Sequence, residues 1–470
     1  VNARDTVRKL DPTRPIHWER GNPIADVDSR MYPTVEWLYQ RGRLGEGEGG
    51  EMLDKYTQGA NGQTRGKPFF MCEYAHAMGN SIGNFQEYWD AFYSSDSLLG
   101  GCIWDWVDQA LVKETGRFDS DGNPVTMLAY GGDWDESPND GPFCCNGVIR
   151  PDRKPTAKLV EVAHVYRQLV LSSADASSGK AELWNRFSFT DADSFDASWQ
   201  LLEDGKVVSS GVWAVPSVRP GTKIQVSLPA VDYAVKAGKE YFLNVYFLLR
   251  RDELWADRGH VIASDQLPWK NNSGYTESPL ETSKKCPASL LEDSEYITVS
   301  SSAFKAVFSR KSGTLSSLEI DGKQILAADL KTVTGPRLSC MRAFTDNDIW
   351  LKQKRAPGFE AFGLTQLNYQ PKGLKAEADP DGSVTVESFV DVTGSKSAGF
   401  EHRATWTFSP DGKVKVENDV RPYGHMPSAL PRLGLSLLLD PSLENVEWFG
   451  RGPEENYIDR CTGSFIGRYS

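Results

Sequence analysis

Positive charge is in short supply in this 470-residue sequence: 52 lysines and arginines stand against 64 aspartates and glutamates, a net charge of −12. That balance repels a phosphate backbone, so nucleic acid is not an expected partner and a neutral substrate is better suited. Long apolar runs are lacking as well. None approaches the ~18 residues of a membrane span, so no membrane partner is expected. No secretory signal opens the chain. Cysteine supplies no framework either: the seven residues at 72, 102, 144, 145, 286, 340 and 461 are odd in number, and only Cys144-Cys145 cluster. Without paired spacings or a Cys-x-x-Cys, neither a disulfide scaffold nor a thiolate metal site is expected. Free, buried thiols fit a reducing compartment. No solenoid-type repeat is present.

Aromatic residues, by contrast, are plentiful, with 14 Trp, 17 Tyr and 21 Phe. Their faces pack on the C–H faces of sugars and equally well in β-sandwich cores, so for any single Trp the core is the first expectation. A composition of 39% apolar and 25% charged residues is that of a folded globular protein, and the length predicts two to four domains.

The texture changes along the chain. Val1–Lys9 reads as the tail of a helix with no start signal before it. Short apolar runs then alternate with amphipathic segments up to about residue 170. Pro15–Trp18, Asp26–Tyr32, Pro68–Cys72 and Gly101–Trp104 are four strand candidates, and Phe85, Trp89 and Phe92 recur at helical spacing within 84–94. Strand–helix alternation predicts right-handed βαβ units and a parallel sheet. If that sheet is a closed (β/α)8 barrel, four strands make half of it. Residues 156–169 predict one more helix, with Leu159, Ala163 and Tyr166 on one face.

Beyond it the pattern is all-β. Asp204-Gly205, Asp321-Gly322, Asp381-Gly382 and Asp411-Gly412 are hairpin turn signals, flanked by alternating segments such as Thr405–Phe408 and Lys413–Val416. Such short strands predict β-sandwiches. The expected domains are a partial TIM barrel over 1–170, an immunoglobulin-like sandwich over 171–269, a linker over 270–295 and a larger, truncated sandwich over 296–470. Both ends are expected to be cut.

Glu73 follows the apolar run Pro68–Cys72 directly. A carboxylate at the C-terminal end of a buried parallel strand opens onto the catalytic rim of a barrel, whereas a merely structural one would cap the next helix or meet a lysine. The continuation Tyr74–Ser81 is rich in hydrogen-bonding and small residues, as a sugar pocket requires. The next strand ends in Trp104-Asp105-Trp106, an aromatic platform on the same rim. Glycoside cleavage with retention needs a second carboxylic acid about 5–5.5 Å away to protonate the leaving oxygen. Glu19, Asp105 and Asp108 are the acidic residues near strand ends. Glu19 reads as a rim or salt-bridge residue, and the two aspartates as groups that bond loop backbone.

Cys72-Glu73-Tyr74-Ala75-His76-Ala77-Met78-Gly79-Asn80-Ser81 and Trp104–Gln109 closely resemble the large bacterial β-galactosidases of glycoside hydrolase family 2. So do Tyr130–Asp133, Pro138–Asp140, Phe143–Gly147, Thr345–Asp348 and Gly452–Tyr457, in the same order along the chain. The Ala75–Asn80 continuation resembles galactosidases rather than glucuronidases or mannosidases. The resemblance implies that Glu73 is the nucleophile of a covalent galactosyl intermediate and that Tyr32 hydrogen-bonds it. It implies that His76 touches galactose hydroxyls, that Trp104 lies under the sugar, and that the Phe143 carbonyl and Asn146 side chain bind a sodium ion holding the sugar 6-hydroxyl. It places the general acid and the magnesium ligands upstream of this chain, and makes the strands present the fifth to eighth. A β-galactoside such as lactose is then the expected substrate, and the parent enzyme an expected homo-oligomer. The alternatives are a non-catalytic sugar-binding or structural fragment, and a family-2 β-glucuronidase or β-mannosidase.

Overall fold

The computed structural model describes residues 2–19, 24–45, 66–269, 287–327, 332–348, 359–410 and 412–470. Backbone contacts divide the chain into a unit of Val1–Gly274 with Trp448–Tyr469 and a unit formed by Tyr275–Glu447 and Ser470.

The first unit opens with α1 (Asn2–Leu10) and continues through β1 (Asp28–Met31), α2 (Val35–Gly45), β2 (Phe69–Tyr74), α3 (Phe85–Phe92) and β3 (Leu98–Ile103). The three strands form one sheet in the order β1-β2-β3, parallel throughout, with Met31 opposite Glu73 and Tyr74 opposite Ile103. As the central strand, β2 must be apolar toward its packed helices: Phe69, Met71 and Tyr74 are buried together with Leu38 of α2 and Phe85 and Phe92 of α3. Each such side chain contributes on the order of 1.5–3 kcal/mol by leaving water.

Gly101 is required in β3, because a Cβ there would fall 2.5 Å from the Met71 carbonyl oxygen. The strand expected at Pro15–Trp18 is reduced to a single parallel bridge from His17 to Val27. On the other side the chain past β3 gains a parallel bridge, Val107 to Ile149, framed by hydrogen bonds from Asp105 N to Asn146 O and from Val148 N to Asp105 O. A hairpin of β4 (Leu111–Phe118) and β5 (Pro124–Ala129) lies between them in sequence.

α4 (Ala157–Val165) starts where periodicity placed it but ends four residues before 169, where Leu169 already opens the next strand. Its buried face differs: Lys158, Glu161, Val162 and Val165 point inward, Leu159 and Tyr166 flank them, and Ala163 is exposed. Two polar residues on the inner face defeat a purely apolar reading of the helix.

Seven strands follow, β6 (Leu169–Ser172), β7 (Lys180–Asn185), β8 (Asp196–Glu203), β9 (Lys206–Trp213), β10 (Lys223–Ser227), β11 (Tyr241–Leu248) and β12 (Val261–Pro268). They form two antiparallel sheets, β10-β7-β6 and β12-β11-β8-β9, over one core that includes Trp199 and Trp213. This is the sandwich the alternation predicted. Asp204 and Gly205 both adopt positive φ in the β8–β9 turn, the conformation for which Asp-Gly is selected. The hairpin Trp448–Gly452 with Phe465–Tyr469 completes this unit.

In the second unit, strands within 289–324 form a five-stranded antiparallel sheet and those within 368–423 a four-stranded one. Asn368–Ala378, Val384–Thr393, Gly399–Phe408 and Val414–Tyr423 pair in simple succession, as the turn signals predicted. Asp411 lies outside the described residues, as does most of the expected linker. Ser289–Glu292, also assigned to that linker, is a strand.

Candidate active site

Glu73 sits at the C-terminal end of β2, the central strand, where the sheet's carboxyl edge opens. Its backbone carbonyl accepts from Tyr32 N at 2.9 Å, so the first residue past β1 is tied to the penultimate residue of β2. The Tyr32 phenol donates to the Glu73 carboxylate. Burial first, and the negative charge of Glu73 second, push the Tyr32 pKa well above the ordinary tyrosine value, so the donor stays protonated. Tyr32 and Ala75 both adopt left-handed backbone, φ 48° and 50°. Each costs about 1–2 kcal/mol in an L-residue. The bends turn the chain at both strand ends, and the hydrogen bonds at Glu73 offset part of that cost.

His76 follows on the same loop. Its ring lies 6.1 Å from that of Tyr32 and stacks on Phe143 at 5.4 Å. Burial lowers its pKa, partly countered by the Asp105 carboxylate, which favours a neutral imidazole at neutral pH. Trp104, 39% exposed, is anchored on both sides of its side chain. Its N–H donates to Tyr74 O at 3.0 Å, and its carbonyl accepts from Ala77 N at 2.8 Å. These two bonds join the Glu73 loop to the end of β3, so Glu73, Tyr32, His76 and Trp104 share one rim.

Asn146 is 3% exposed, and its Oδ1 has no hydrogen-bond partner. A buried acceptor left unsatisfied is costly unless a donor or a cation completes it. Phe143, whose carbonyl the resemblance pairs with this side chain, lies in the 3-10 turn Gly141–Cys144 three residues earlier. Of the acidic residues weighed as proton donors, Asp108 accepts from Gly147 N at 2.7 Å, in keeping with its backbone-bonding reading. Asp105 instead accepts from the Gln109 amide through Oδ2, while its Oδ1 is buried without a partner. Glu19 lies within electrostatic range of the Cys72 thiol.

Two features carry no sequence signal. Lys158, on the buried face of α4, donates from Nζ to Ala77 O at 2.7 Å, and burial lowers its pKa. A lysine in a helix reads as solvated, and only the packing reveals otherwise. The second is the set of partners reached by the segment between Trp448 and Tyr469, whose Gly452–Tyr457 motif the sequence marks without its neighbours. Asn80, on the Glu73 loop, donates to Glu455 Oε1 at 3.2 Å and to the Tyr457 hydroxyl at 3.0 Å. Asn84 N donates to Asp459 O at 2.7 Å.

Against this geometry, the family model of the glycosyl hydrolases family 2 TIM barrel domain matches residues 2–171. The chain belongs to glycoside hydrolase family 2. The models for β-galactosidase domain 4 and for the β-galactosidase small chain match residues 181–270 and 300–470. The parallel sheet and its helices are therefore part of a TIM barrel, followed by β-sandwich domains. Curated β-galactosidases of Psychromonas ingrahamii and Photobacterium profundum are 32% and 33% identical over 98% of this chain, and each is covered to 44% of its own length. That of Priestia megaterium is 31% identical over 97% of the chain and is covered to 41%. The chain thus spans less than half the length of these curated relatives. A solved Parabacteroides merdae β-glucuronidase aligns over 89% of this chain and 45% of its own at 11% identity, with a TM-score of 0.21, too low to argue from.

Proposed function

We propose that this family-2 chain carries the nucleophile side of a retaining β-galactosidase site. The observation that carries the reading is Glu73 at the carboxyl edge of the central strand, hydrogen-bonded by a phenol whose proton is firmly held. Glu73 attacks the anomeric carbon as an acid protonates the leaving oxygen. A galactosyl ester forms on Glu73, and water then releases galactose with its configuration retained. Tyr32 keeps the carboxylate oriented and anionic. Neutral His76 exchanges hydrogen bonds with sugar hydroxyls, and the exposed face of Trp104 packs on the sugar's C–H face.

Asn146 Oδ1 and the Phe143 carbonyl fit a sodium ion, which when bound supplies a fixed positive charge for orienting a sugar hydroxyl. The resemblance puts the magnesium ligands and the general acid beyond these 470 residues, and no step here is derived through magnesium. General acid catalysis typically contributes about 10²–10⁴-fold, so the 470 residues alone are expected to show no significant turnover. A homo-oligomeric parent enzyme and lactose as one substrate belong to the same proposal.

The test is hydrolysis of nitrophenyl β-galactoside by the 470-residue chain, alone and co-expressed with the upstream segment the resemblance implies. Inactivity alone and activity together support a divided site. Activity of the chain by itself would make Glu19, Asp105 and Asp108 the proton-donor candidates. Preference of the complemented protein for the glucuronide or mannoside would overturn the galactose assignment.

A further inference from the structure

Lys158 takes no part in the mechanism above, yet it is only 6% exposed and donates from Nζ to the Ala77 carbonyl at 2.7 Å. Ala77 is itself buried and directly follows His76. Its two peptide planes are held from different elements. The N–H of the 76–77 peptide donates to the Trp104 carbonyl at 2.8 Å, and the carbonyl of the 77–78 peptide accepts from Lys158. With both planes tied, rotation about either backbone bond of Ala77 breaks a hydrogen bond, so the His76 backbone keeps its place beside Trp104. Three residues further on, Asn80 bonds Glu455 and Tyr457.

As a mere tie between elements, a lysine is a poor choice. Its ammonium loses water on burial, and it stands in the first turn of α4, where the helix dipole opposes a cation. Thr156, two residues earlier, ties α4 to the Val148 carbonyl at 2.5 Å with an uncharged hydroxyl. Electrostatic neighbours of the Lys158 ammonium include the Asp108 and Glu455 carboxylates, which favour the charge, and the Arg460 guanidinium, which opposes it. Asp108 in turn accepts from Gly147 N at 2.7 Å, one residue past Asn146. The ammonium thus sits where the segments carrying His76, Trp104 and Asn146 meet. A costly group at such a junction is expected where geometry matters more than stability.

We propose that Lys158 is a positioning residue of the galactoside site: through the Ala77 carbonyl it fixes the loop that presents His76 to the sugar beside the Trp104 platform. This rests on the functional reading above. Lys158 acts through His76 and Trp104, not on the reacting atoms. Those two groups hold the sugar before and during bond cleavage, so their misplacement weakens ground state and transition state together and reads chiefly in KM.

The first arm of the test needs no turnover. Lys158→Met keeps the volume and removes the donor, and Lys158→Gln keeps a donor one bond short; either variant, once folded, serves. In the 470-residue chain, hydrogen exchange of peptides covering 75–80 should quicken on the order of tenfold. Unchanged protection of β3 and β11 is the check on folding. Exchange over 75–80 that stays at the wild-type rate would overturn the tie. The second arm uses the enzyme complemented with the upstream segment. There Lys158→Met should raise KM for nitrophenyl β-galactoside roughly 10- to 100-fold, with kcat changed less than about threefold. In a His76→Ala background the same substitution should add less than about twofold, since the group it positions is gone. A wild-type KM, a loss confined to kcat, or full additivity with His76→Ala would overturn the positioning role. A complemented wild-type enzyme that leaves the galactoside intact would sink the functional reading instead, and the exchange arm would still decide whether Lys158 fixes the loop.

Discussion

Glu73 and Tyr32 are held to one another twice, once through backbone and once through side chains. The proposed role of Glu73 as nucleophile makes a sharp prediction: Glu73→Gln in the complemented enzyme should leave less than about 10⁻³ of the wild-type kcat, because the amide cannot form the covalent intermediate. Substrate binding by fluorescence or calorimetry should be nearly preserved. Tyr32→Phe removes one hydrogen bond to a charged group, worth about 1.5–3 kcal/mol, so kcat should fall roughly 10- to 100-fold. The place of Glu73 at a strand end was legible in the sequence because the apolar run Pro68–Cys72 stops at it, while position alone left a structural role equally open. Lys158 was not. Its residue type argues for solvent, and its place on the inner face of α4 follows only from how that helix packs.

At the scale of elements, the barrel portion rests on close strand pairing and on α4. Gly101→Ala should destabilise the first unit by about 1–3 kcal/mol, read as a lowered denaturant midpoint, since the added carbon collides with backbone that cannot rotate away. At the C-terminal end of α4, His164 is packed against Phe465, and burial, followed by the charges of Arg167 and Arg186, lowers its pKa to about 3. Unfolded, it binds a proton near the ordinary 6.5. Between those values the unfolded chain holds the proton and the folded one does not, so stability must fall as pH drops from about 6.5 toward 3. His164→Gln should flatten that part of the thermal-midpoint profile. Asp265, buried against Arg167, acts in the opposite sense. Burial raises its pKa to about 6, so its contribution weakens as pH rises from the unfolded value through that point. The hairpins at 204–205 and 321–322 were readable from their Asp-Gly turns, because positive φ at two successive residues admits few other pairs. The strand expected at Pro15–Trp18 shrank to a bridge, since alternation alone does not supply a partner over its whole length.

For the molecule as a whole, the least legible feature is the return of Trp448–Tyr469 to the first unit, some 180 residues after the chain leaves it. The sequence marks the Gly452–Tyr457 motif but not its neighbours, because contacts of such separation leave no periodicity. Glu161, 3% exposed, accepts from the Thr462 hydroxyl and from Gly463 N at 2.8 Å. Glu161→Ala should cost about 1–3 kcal/mol by leaving those donors unpaired, and limited proteolysis within 453–463 should become faster. The arrangement as a whole argues for one nucleophile. The decisive measurement is covalent trapping in the complemented enzyme with a 2-deoxy-2-fluoro-β-galactosyl fluoride, whose fluorine slows release of the sugar from its ester. The account predicts one equivalent of label on the peptide containing Glu73, with loss of activity in step. Label on another carboxylate, or turnover of the reagent with no labelled enzyme, would contradict it.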